Sequence, residues 1–141
     1  MEFSIGELSR RAGVKVPTIR YYEQIGLLPA PPRSEGDQRR YDASHAARLS
    51  FIRHSRELGF DVGDIRELLA MSAQPSQSCL EADAIARRHI AQIDRRIAHL
   101  ATLRAELQHT VEACGQGRIA DCRVIETLAD ETHYHGKLPV Y

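Results

Sequence analysis

Two groups of side chains in this sequence could do chemistry: the cysteines Cys79, Cys114 and Cys122, and the run Arg20-Tyr21-Tyr22. Three thiols are an odd number for a disulfide framework, and residues 1–13 form a charged, helix-like segment rather than a secretory leader. The cysteines are therefore expected to be reduced, in a cytoplasmic protein, with core packing, metal binding or reactivity as their possible roles. Cys114 and Cys122 enclose seven residues, three of them Gly or Ala, a loop that can fold two thiolates toward one ion. Thiolates suit soft and borderline cations such as zinc, cadmium, lead or mercury. Arg20 and the tyrosine hydroxyls are of a different kind. On a helix lying in a DNA groove, such groups reach base edges and phosphates. On a plain surface they would be a solvated arginine beside packing tyrosines, and Tyr22 does fall in phase with the apolar Ile19.

The charge pattern favours the first role. The chain is formally neutral, with 19 basic and 19 acidic groups, but residues 10–56 hold ten Lys/Arg against four Asp/Glu. That segment is +6 and the remainder −6, the pattern of a basic binding face on an acidic body. No apolar run approaches the length of a membrane span.

The elements that must position these groups are legible in the periodicity. Ile5, Leu8 and Ala12 repeat at helical spacing, with Ser4 as N-cap and Gly13 as stop. Pro17 opens a second helix whose Ile19, Tyr22 and Ile25 share a face, so that a tight turn joins two short helices. Residues 29–41, PAPPRSEGDQRRY, read as an extended arm or small β-wing. Arg33, Arg39, Arg40 and Tyr41 on that wing could continue a phosphate-binding surface from Arg20. A third helix turns Ala46, Leu49, Phe51 and Ile52 inward and ends at Gly59. A fourth starts at Asp61 and buries Ile65, Leu68 and Leu69. Residues 73–78 are a boundary. From Leu80 to Ala113 there is neither Gly nor Pro, and Ala86, Ile90, Ile93, Ile97, Leu100, Leu107 and Val111 keep a heptad spacing, with Arg104 in one slot. Such a row needs a partner helix, and a second copy of the chain is the simplest. His89 and His99 are expected to be exposed on this helix.

The segment IGELSRRAGVKVPTIRYYEQIGLLPAPPRSEGDQRRY resembles the DNA-binding half of the MerR family of transcription regulators. The motifs are Ile5 to Leu8, the Thr18 to Glu23 helix, and the wing residues Arg33, Arg39 and Tyr41; residues 51–69 match the next two helices. Gln38 departs from the pattern, standing where many relatives carry a wing aromatic. The resemblance implies a mostly α fold: a winged helix-turn-helix over residues 1–75, a long antiparallel coiled-coil dimerisation helix over 79–113, and a metal-binding loop and tail over 114–141. It implies DNA contacts from Thr18, Arg20, Tyr21, Tyr22, Arg33, Arg39, Arg40 and Tyr41.

Within that family the arrangement resembles the metal-responsive branch. Antiparallel pairing would bring Cys79 of one copy near Cys114 and Cys122 of the other. A cysteine at the Cys79 position resembles sensors of divalent zinc, cadmium or lead, with mercury also compatible. A copper(I)-type sensor using Cys114 and Cys122 only is the alternative, followed by a small-molecule or redox-responsive regulator. His133 and His135 could add a ligand but read more simply as part of a polar tail. The implied partners are promoter DNA, RNA polymerase and a second copy of the chain. No Cys/His/Asx constellation points to an enzyme.

Overall fold

In the computed structural model, residues 1–36, 38–113 and 117–133 are described. Six α-helices account for most of them: α1 (Ile5–Ala12), α2 (Val16–Gln24), α3 (Ala43–Glu57), α4 (Val62–Ser72), α5 (Leu80–Glu112) and α6 (Arg123–Ala129), with a single 3-10 turn at Ile119–Asp121. The chain divides into two compact units, Met1–Ala82 and Asp83–Tyr141.

In the first unit the helix ends follow local chemistry. The Ser4 hydroxyl accepts from the Glu7 N–H at 3.3 Å, and Gly13, at φ 68°, closes α1 by donating to the Ser9 carbonyl at 2.9 Å. Pro17 sits in the first turn of α2, where no backbone N–H is needed. Asp42 caps α3, its carboxylate accepting from the Ser44 and His45 N–H groups, and Asp61 caps α4 at 2.8 Å from the Asp64 nitrogen. Hydrogen bonds from Ser44 and His45 hold the Asp42 carboxyl well below the usual carboxylate range. The apolar stripes of these helices close on one core. Leu8, Ile19, Leu27, Leu28, Leu49, Ile52 and Ile65 are fully buried in it. Each such side chain contributes about 1.5–3 kcal/mol of burial, which offsets the ordering of short helices that would not stand alone.

The expected wing takes the form of two isolated antiparallel bridges, Arg33 with Arg39 and Phe3 with Tyr41. No longer strand occurs among the described residues. The hairpin is closed by Ser34 N–H to the Gln38 carbonyl and Arg40 N–H to the Pro32 carbonyl, at 2.6 and 3.0 Å.

In the second unit α5 runs for 33 residues, about 50 Å. Ile90, Ile97, Leu100, Leu107 and Val111 stand exposed along it, Ile97 at 59%. These are five of the seven positions the heptad spacing marks out, Ala86 and Ile93 being half-buried, and their exposure in a single chain is consistent with a coiled-coil seam. One expectation fails. His89 is only 4% exposed, beside Gln92, because it sits off the apolar row on a covered face with Ile85. His99 is half-buried. Past α5, α6 lays Val124, Thr127 and Leu128 beside Leu103, Leu107 and Thr110, lining an apolar cleft of about 200 Å³.

Candidate DNA-reading face and thiol positions

The helix carrying Arg20 is braced at its far end. Beyond α2 the chain turns at Gly26, φ 78°, leaving carbonyls that a helix no longer satisfies. Arg48 from α3 donates to the Leu27 carbonyl at 2.7 Å, and Arg66 from α4 donates to the Ile25 carbonyl at 2.8 Å. Two guanidiniums thus fix the exit of α2 against the following helices. Neither was singled out in the sequence, where both look like ordinary surface charges.

The eight residues expected to meet DNA separate into two groups. Arg20 and Arg33 are exposed, Tyr21 is 50% exposed, and Thr18 and Arg40 are half-buried. Arg20, Arg33, Gln38 and Arg39 line one open cleft of about 390 Å³ with Ser4 and Ile5. Tyr22 and Tyr41 belong instead to the core, Tyr41 without any exposed surface. The tyrosine rings 21 and 22 still touch, 5.9 Å between centroids.

Tyr41 is placed by three contacts. Its backbone exchanges hydrogen bonds with Phe3, at 2.8 and 2.9 Å, and its ring meets His45 edge-on at 5.3 Å. Its hydroxyl donates to the Glu23 carboxylate on the last turn of α2. The other oxygen of that carboxylate takes Arg39 Nη1 at 3.0 Å. Burial first, and then the hydrogen bond to Glu23, push the Tyr41 phenol up to about 12. Glu23 closes the Thr18 to Glu23 motif, but nothing in the sequence assigns it this role. The available signal was its rarity, as one of four acids in a strongly basic stretch.

Cys79 and Cys122 occupy helix boundaries. Cys79 is exposed and immediately precedes α5; it lines a cleft of about 350 Å³ with Phe51, Leu68, Met71 and Pro75. Cys122 is half-buried and is the residue from which α6 starts, its carbonyl accepting from the Glu126 N–H at 3.0 Å. Cys114 lies outside the described residues, as does His135. His133 is engaged with Glu106 on α5. Among the described residues no three His, Cys, Asp or Glu side chains converge as a metal site.

Known proteins resemble this chain over most of its length. Residues 3–72 match the model described as MerR HTH family regulatory protein, and residues 46–110 match MerR, DNA binding. The chain is 39% identical over 127 residues to the heavy metal-dependent transcription regulator 2 of Rhizobium meliloti, covering 90% of this chain and 86% of that protein.

The chain belongs to the MerR family.

Like its MerR relatives, it is a DNA-binding transcription regulator and not an enzyme. Two solved MerR-type regulators share its fold at appreciable identity. The lead(II) complex of PbrR691 from Ralstonia metallidurans CH34 aligns with a TM-score of 0.77 and 38% identity, over 90% of this chain and 99% of that one. The mercury(II) complex of MerR from Bacillus megaterium MB1 aligns with a TM-score of 0.68 and 32% identity, over 91% and 100%. Among the described residues no helix is long and apolar enough to cross a membrane.

Proposed function

We propose that this MerR-family chain is a cytoplasmic, dimeric, metal-responsive activator that takes a divalent soft cation on Cys79, Cys114 and Cys122. The observation carrying the reading is where the thiols fall on α5. Cys79 immediately precedes a 33-residue helix, while Cys114 follows its last helical residue by two and Cys122 begins the next helix. If two copies pair antiparallel along the exposed row of Ile90, Ile97, Leu100, Leu107 and Val111, the head of each α5 comes to the tail of the other. One site would then draw on both chains, with Cys79 from one copy and Cys114 and Cys122 from the other.

The donor chemistry fits. Three thiolates suit lead, cadmium, zinc or mercury, and similarity to lead(II)- and mercury(II)-bound regulators supports a cation of that class. In each protomer the domains would be a winged reader over residues 1–75, the pairing helix over 79–113, and the metal loop and tail over 114–141. Arg20, Tyr21, Thr18, Arg33 and Arg40 would meet the duplex, with Tyr22 and Tyr41 supporting them from the core. Metal acts only if it binds the two dimer conformations unequally; the favoured one would then retwist promoter DNA for RNA polymerase and raise expression of metal-resistance genes.

A promoter-reporter panel across zinc, cadmium, lead, mercury, copper and silver tests the reading. Cys79→Ser is expected to lose most of the divalent response while metal-free DNA binding survives. Full divalent induction in that variant, or a wild type that answers only to copper or silver, would overturn the three-thiolate site. The latter outcome would favour a two-thiolate site at Cys114 and Cys122.

A further inference from the structure

We infer that Glu23 is a positioning residue for the wing: its carboxylate ties Arg39 and Tyr41 to the reading helix and withholds the Arg39 charge from DNA phosphates. The inference rests on the DNA-binding reading above and assigns Arg39 a role opposite to the one its sequence suggests. One carboxylate on α2 receives a hydrogen bond from Tyr41 on one oxygen and the Arg39 ion pair, at 3.0 Å, on the other. The Glu23 side chain is only 8% exposed, against 36% for Arg39. A carboxylate so far removed from water needs its cation. Transferring Arg39 to a phosphate would strand that charge, and a salt-screened surface contact is too weak to compensate. Among the described residues the wing pairs through isolated bridges, Arg33 with Arg39 and Phe3 with Tyr41, rather than through a continuous ladder. Glu23 therefore sets the angle between the hairpin that carries Arg33 and the helix that carries Arg20.

Salt dependence reads this directly. Each phosphate neutralised contributes about 0.9 to the slope of log K against log salt concentration. For the full-length protein on a short mixed-sequence duplex, Glu23→Gln is expected to steepen that slope by about 0.9, as Arg39 is released to the backbone. The double variant Glu23→Gln/Arg39→Gln, which removes the pair together and leaves no stranded charge, is expected to return to the wild-type slope. A Glu23→Gln slope equal to wild type, or a double variant shallower than wild type by one contact, would overturn the inference. A DNA-free measurement separates this from the DNA-binding reading. Glu23→Ala is expected to speed hydrogen exchange at the Arg40 amide of the hairpin, with the Ile52 amide in α3 still protected. If the wild type bound no duplex, the DNA-binding reading would fall, and unchanged Arg40 exchange would sink the wing tie by itself.

Discussion

Tyr41 illustrates how a single residue divides its duties. Its type and its place in a basic wing suggest a hydroxyl offered to phosphate, yet the ring is sealed in the core and the hydroxyl is given to Glu23. The partner is 18 positions away in the chain, so no local pattern announces it. Tyr41→Phe is expected to cost about 1–2 kcal/mol near neutral pH, because a buried carboxylate loses a donor, as urea unfolding would measure. The pH dependence has a definite sign. The native phenol titrates at about 12, against 10.0 ordinarily, so above pH 10 the unfolded chain gives up a proton that the native state keeps. Stability from this group is intact below that value and declines as pH climbs toward about 12; the phenylalanine variant lacks that decline. Arg20 is the contrasting case, exposed as its position in the helix suggests. Arg20→Ala is expected to weaken operator binding by roughly 1–3 kcal/mol if it reads a base, with the dimer intact, as fluorescence anisotropy and sedimentation would show.

At the scale of elements, legibility followed length and apolar period. Helices α1, α3 and α4 carry side-chain caps, α2 opens on Pro17, and α5 carries an apolar row interrupted at Arg104, so all five could be read. The helix α6, seven residues with few apolar anchors, could not; it exists because α5 offers Leu103, Leu107 and Thr110 as a surface to lie on. The covering of His89 was invisible for a similar reason, since it depends on tertiary contact rather than on spacing. The row on α5 yields the element-scale prediction. Ile97→Asp would put a carboxylate on the exposed row that the proposed dimer would bury away from water. Sedimentation should then find monomer or aggregate, with DNA binding lost as a consequence. A soluble dimer with normal DNA affinity would mean that the chains pair along another face.

Over the whole molecule the charges cancel, and the sequence pI is about 7.1. A neutral protein is nevertheless expected to bind DNA with strong salt dependence, because the positive surplus is gathered in residues 10–56. Titration of the full chain with duplex at increasing potassium chloride should give a steep linear fall in log affinity; a flat response would mean that the basic segment does not face the backbone. The exposed row on α5 also bears on inheritance. If chains pair through it, a cell carrying two alleles makes mixed pairs. An allele spoiled in the reader but sound along α5 would enlist wild-type chains into crippled pairs and behave as dominant. An allele spoiled at Ile97 could not enlist them and would behave as recessive. The two kinds of lesion, one in each half of the same polypeptide, would be told apart by a cross before either protein was purified.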